Sequence, residues 1–198
     1  MSYNSTEYRQ VKPSFKEIWT AKPQESVFGA DHKLKEVRSV RSVWSEWLNG
    51  YNWDWWITLT FRNKVSAKTA NKKWNKWLRA LEKELDDKAG YFRCTELQSG
   101  RKVLHFHSLM LNVSGLHTRT MGNWLKAEKI LKKIKENPSQ EEIEQLAICI
   151  YWGDKWNEMA GFGRIYSYDP TKKASFYLTK YISKELSDYK LGGCILKT

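Results

Sequence analysis

Between residues 34 and 48 the apolar positions Leu34, Val37, Val40, Val43, Trp44, Trp47 and Leu48 recur at three- and four-residue steps. That spacing is one face of a helix, and Gly50 can end it. The period then changes. In "WDWWITLTF" the residues Trp55, Ile57, Leu59 and Phe61 alternate with Trp56, Thr58 and Thr60, which predicts a strand. Helical spacing returns from Ser66, a capping residue, to Leu85. Trp74, Trp77, Leu78, Leu81 and Leu85 form its inner face, and Lys68, Lys72, Lys73 and Lys76 lie on its N-terminal half. "YFRCTEL" and "KVLHFHSLML" read as two strands of a hairpin across "QSGR", with Gly100 supplying the turn geometry. Two charged helices, roughly over 119–136 and 139–149, are separated by Asn137-Pro138. "GRIYSYD" predicts a further strand, and a last helix covers about 171–188. Residues 1–30 are polar and aperiodic, read as a poorly ordered arm, and 31–198 as one domain.

This order of elements predicts an α+β fold, a central antiparallel sheet packed by α-helices. A strand, a long helix and then a hairpin make a split βαβ-like beginning.

Composition narrows the class of partner. The chain of 198 residues carries 34 Lys and Arg against 22 Asp and Glu, a net charge of +12. An excess of that size points first to nucleic acid. Tryptophan is abundant, at 11 residues; such rings stack on unpaired bases or fill a core, and for any one of them the core is the better reading. Cys94, Cys149 and Cys194 are scattered without a CxxC pair, the usage of a reduced, intracellular protein. No apolar stretch is long enough to span a bilayer and the N-terminus lacks a signal-peptide core, so the expectation is a cytoplasmic protein without a membrane partner.

Two short stretches carry candidate chemistry. In "LHFHSLM" the residues His105 and His107 are two apart, so on a strand they project from one face. Two imidazoles fixed on a rigid strand can be a pair of cis ligands for a divalent ion; taken alone, the pair reads equally as two rings satisfied by hydrogen bonds. Glu96, before the turn, can lie opposite His105 if paired residue numbers sum to 201, adding a carboxylate and leaving open positions suited to catalysis. The oxygen ligand and a phosphate substrate favour Mg²⁺ or Mn²⁺. Cys94 shares that face but reads as a small buried hydrophobe, and His32 and His117 as surface residues. In "FYLTKYISKE" the residues Tyr177 and Tyr181 are four apart, one helix face, and Lys180 and Lys184 follow each by three. A phenol with a pKa of about 10 is a poor nucleophile at neutral pH, and nearby ammonium groups favour its phenolate; taken alone, the segment reads as an amphipathic helix with solvated Tyr and Lys.

"WWITLTF" (55–61), "HFH" (105–107) and "YLTKYISK" (177–184), in that order, resemble the HUH endonucleases. Within them they are most similar to rolling-circle replication initiators of the two-tyrosine YxxxYxxK type found in small single-stranded-DNA phages and plasmids. The resemblance covers about residues 53 to 186. It implies an RRM/ferredoxin-like palm of about five strands, and a metal held by His105, His107 and Glu96. It further implies Tyr177 and Tyr181 as nucleophiles helped by Lys180 and Lys184, and a nick that leaves a 5′-phosphotyrosine and a free 3′-hydroxyl. The implied substrate is single-stranded or hairpin origin DNA in a prokaryotic host. No GxxxxGK[ST] loop appears, so unwinding and extension would fall to a host helicase and polymerase. A transposase of the same nuclease fold, and a non-catalytic basic protein that binds single strands, are the competing readings.

Overall fold

Trp55, Ile57, Leu59 and Phe61 are all buried on one side of the first strand, β1 (Trp55–Phe61). The alternation therefore decides which face of the sheet the main helices cover. A computed structural model of the chain describes residues 41–98, 100–117, 120–172, 178–179 and 189–197. A helix over 41–49 (α1) precedes β1; then come α2 (Ala67–Leu85), β2 (Gly90–Leu97), β3 (Leu104–Leu111), α3 (Met121–Leu131), α4 (Gln140–Met159), β4 (Gly161–Ser167) and β5 (Tyr189–Gly192). The sheet order is β4-β1-β3-β2-β5, with every neighbouring pair antiparallel. The α+β architecture with a five-stranded antiparallel sheet is as the sequence predicts. The expected arm, residues 1–30, lies outside the described residues.

Each long helix starts where a hydroxyl can satisfy a free backbone N–H. The Ser66 side chain accepts from the Thr69 N–H, and Ser139 with Glu142 forms a reciprocal capping box. Trp74, Trp77 and Leu81 of α2 meet Trp152 and Trp156 of α4 over the inner face of β1 and β3. Their polar tips are used: Trp77 Nε1 donates to the Trp152 carbonyl at 3.1 Å and Trp156 Nε1 to the Thr60 carbonyl at 3.2 Å. On the other face, Trp44, Trp47, Leu48 and Trp53 pack with Phe92, Cys94, Leu109 and Leu178. These tryptophans are core, not base-stacking surface. Cys94 is fully buried, and His117 is on the surface beside Glu144, as expected.

Several boundaries differ from the expectation. Val43 is 44% exposed although its spacing fits the inner face of α1. In the β2–β3 loop Lys102, not Gly100, takes the left-handed conformation (φ 53°). Gln98 and Val103 close that loop through a backbone bond of 2.9 Å. α3 ends at Leu131, and α4 continues to Met159, ten residues past the expected end, because it packs on both α3 and the sheet. In the expected last helix, Pro170–Lys172 is a 3₁₀ turn and residues 178–179 are helical; 173–177 and 180–188 lie outside the described residues. β5 has no counterpart in the sequence pattern; four residues beside a glycine pair give too short an alternation to detect.

Candidate active site

The face of the sheet opposite α2 and α4 is a grid fixed by register. Thr60 pairs with His105, which pairs in turn with Glu96; one step along, Thr58 pairs with His107 and His107 with Cys94. The pairing number 201 for Glu96 and His105 is thus met. The two imidazoles are nearly parallel, with centroids 6.2 Å apart and planes 9° apart. Trp56, partly buried, stacks beside His107 at 6.2 Å and 29°.

Each ring is held from behind by a threonine. Thr60 Oγ1 lies 2.9 Å from His105 Nδ1, and Thr58 Oγ1 lies 3.2 Å from His107 Nδ1. Both rings therefore turn Nε2 away from β1. Glu96 reaches diagonally, past its direct partner His105, and places Oε2 3.2 Å from His107 Nε2. His107 is 7% exposed, and the Glu96 side chain about a third. His105 Nε2 is buried without a hydrogen-bond partner. Burial lowers the pKa of His105 below its usual value; the Glu96 charge opposes this and the Arg101 charge adds to it. A neutral His105 that donates Nδ1–H to Thr60 keeps a lone pair on Nε2, the form that binds a cation. The sequence does not single out Thr58 and Thr60, because threonine there reads simply as a strand former.

Among the described residues no three His, Cys, Asp or Glu side chains are gathered as a ready metal group. The donor set nevertheless fits one. A buried, unpartnered imidazole nitrogen stands beside a His–Glu pair joined by a proton, and a divalent cation can replace such a proton. Tyr177, Lys180, Tyr181 and Lys184 lie outside the described residues. Between them, Leu178 and Thr179 are fully buried, and Leu178 belongs to the apolar cluster of Phe92, Cys94 and Leu109 on the histidine face.

Comparison with known proteins fits this arrangement. The model of the family described as Replication-associated protein ORF2 matches residues 54–186, about two thirds of the chain, from the start of β1 through the tyrosine motif. The chain belongs to that family. Membership in this replication-associated family is consistent with a rolling-circle replication initiator and carries with it an interaction with DNA. No curated protein and no solved structure matches the chain. No described helix is long and apolar enough to cross a membrane.

Proposed function

We propose that this member of the replication-associated protein family starts rolling-circle replication by nicking one DNA strand through a tyrosine and later rejoining it. The observation that carries the reading is the paired Nε2 face of His105 and His107 with Glu96 beside it, in a family of replication-associated proteins. His105, His107 and Glu96 would hold a divalent cation, Mg²⁺ or Mn²⁺ by the hardness of the carboxylate and phosphate oxygens. When bound, that ion supplies Lewis-acid polarisation of a phosphate oxygen.

The chain's own residues do the rest. Thr58 and Thr60 hold both rings in one orientation. Tyr181 and Tyr177 are the proposed nucleophiles, and Lys184 and Lys180 favour their phenolates. Support for their proximity is that Leu178, the chain neighbour of Tyr177, is buried in the cluster of Phe92 and Leu109 on the histidine face. The phenolate oxygen forms a bond to phosphorus while the bond to the 3′ oxygen breaks, and that oxygen takes up a proton. One phosphodiester is exchanged for another, so a 3′-hydroxyl can reverse the step without ATP. Two tyrosines allow one to hold the 5′ end while the other cleaves the regenerated origin. The freed 3′-hydroxyl serves a host polymerase, and a host helicase opens the duplex. The test is incubation with Mn²⁺ and single-stranded origin oligonucleotides. A denaturation-resistant protein–DNA adduct, absent with His105→Ala or His107→Ala at undiminished DNA binding, supports the reading; DNA binding without any adduct refutes it.

A further inference from the structure

β4 is built inside out. Its helix-facing positions are Gly161, Gly163 and Ile165, and its other face carries Phe162, Arg164 and Tyr166. The glycines are required by close approach: a Cβ on Gly163 would stand 2.9 Å from the Gly153 carbonyl oxygen of α4, and one on Gly161 would collide with the Thr60 carbonyl. The two aromatic side chains of β4 are therefore both on the open face, where Phe162 and Tyr166 are each 50% exposed. Sheet edges ordinarily avoid exposed aromatic rows. β4 is an edge strand in register with the site: Phe162 pairs with Thr60, Arg164 with Thr58 and Tyr166 with Trp56. Phe162 thus stands in the row of Thr60, His105 and Glu96.

Charge identifies the occupant. The Arg164 guanidinium lies over the Phe162 ring at 5.0 Å. Beyond Phe162 an open depression of about 310 Å³ is lined by Thr60, Arg62, Arg101 and Phe162. Arg62 gives one hydrogen bond to the Asn157 carbonyl and Arg101 one to Gln98, leaving further donors on each guanidinium. An aromatic–Arg–aromatic row that ends in two arginines beside a histidine is complementary to stacked bases and phosphates. Arg164 at the centre of the row opposes pairing with a second copy of the same edge.

We infer that the β4 edge is a single-strand track, with one base on Phe162, another on Tyr166, and a phosphate in the Arg62–Arg101 depression next to His105. This rests on the proposed function for direction and adds the residues that hold the strand. Phe162 and Tyr166 are about 13 Å apart along the strand, whereas stacked nucleotides rise about 3.4 Å. The bound strand is consequently splayed, and a duplex cannot engage both rings.

The experiment is fluorescence anisotropy of a labelled single-stranded oligonucleotide with the full chain in EDTA, so that no chemistry intervenes. Phe162→Leu and Tyr166→Leu keep an apolar strand residue but remove the ring. Each is expected to weaken single-strand binding about fivefold or more, with the log-salt slope unchanged because no ionic contact is lost. Iododeoxyuridine crosslinking of the wild-type chain should mark the peptide containing residues 161–167, independently of how the variants fold. Wild-type affinity in the folded double variant, or a crosslink only elsewhere, overturns the track. So does a dimer that the double variant converts to a monomer with unchanged DNA binding. Adduct formation is scored separately: an adduct with unaltered variant binding overturns the track alone, and weakened variant binding with no wild-type adduct overturns the nicking reading alone.

Discussion

Thr60→Val removes one hydroxyl from behind His105 and little else. Thr60 is 7% exposed, sits in the middle of a paired strand, and contributes its Oγ1 at 2.9 Å from His105 Nδ1. Valine keeps the β-branched shape that the strand favours. The lost hydrogen bond costs about 1 kcal/mol, and the buried methyl that replaces the hydroxyl offsets part of it by up to about 0.8 kcal/mol. The net change in stability is thus below about 1 kcal/mol, a Tm shift of at most about 2–4 °C for a chain of this size. The effect on cation binding should be larger. Loss of the group that orients a ligating imidazole typically costs about 10–100-fold in metal affinity, about 1.4–2.7 kcal/mol. Mn²⁺ titration by calorimetry, with thermal melts alongside, separates the two quantities. A folded Thr60→Val protein that binds Mn²⁺ as tightly as wild type would refute the idea that this hydroxyl sets the imidazole for a cation.

Further outcomes follow from the same geometry. Arg62→Ala and Arg101→Ala should each flatten the slope of log affinity against log salt for single-stranded DNA by about 0.7; an unchanged slope would show that neither meets a phosphate. Gly163→Ala should destabilise by about 1–3 kcal/mol in thermal or urea melts, since the new Cβ meets the Gly153 carbonyl oxygen rather than a movable side chain. The lowered pKa of His105 means that the unfolded chain takes up a proton first as pH falls below 6.5. The stability contribution of this group is therefore full above that pH and lost as pH falls through the folded value. His105→Asn should remove that acid-side component of the Tm-versus-pH curve, and an unaltered curve would contradict it.

Much of this is legible in the sequence because it depends on parity. Trp55, Ile57, Leu59 and Phe61 against Thr58 and Thr60 can be sorted to two faces by counting alone, and so can His105 and His107. The condition that paired numbers sum to 201, which would set Glu96 opposite His105, can be written from the sequence, and the observed register meets it. That sum cannot show that the carboxylate swings across to His107, which is decided by side-chain torsions. Thr58 and Thr60 are invisible as ring anchors, because threonine is what a strand contains for reasons of its own. The length of α4 is hidden because α3 and the sheet both cover it, leaving no single apolar stripe. "GRIYSYD" is readable as a strand, two residues later than the observed Gly161–Ser167, but not as an inverted one. The contact of Gly163 with Gly153 and the burial of Ile165 show which side faces the helix, and hence that Phe162 and Tyr166 are outside.

The central claim is that a tyrosine of the 177–184 segment attacks a phosphate held at the His105–His107 face. Its most direct test is the site of attachment: protein incubated with Mn²⁺ and a single-stranded origin oligonucleotide, digested with trypsin, and the nucleotide-bearing peptide sequenced by mass spectrometry. Attachment at Tyr177 or Tyr181 through a 5′-phosphate, reduced in each single Tyr→Phe variant and absent from the double variant, is the predicted result. Attachment at any other residue, or an adduct that survives in the double variant, would contradict it.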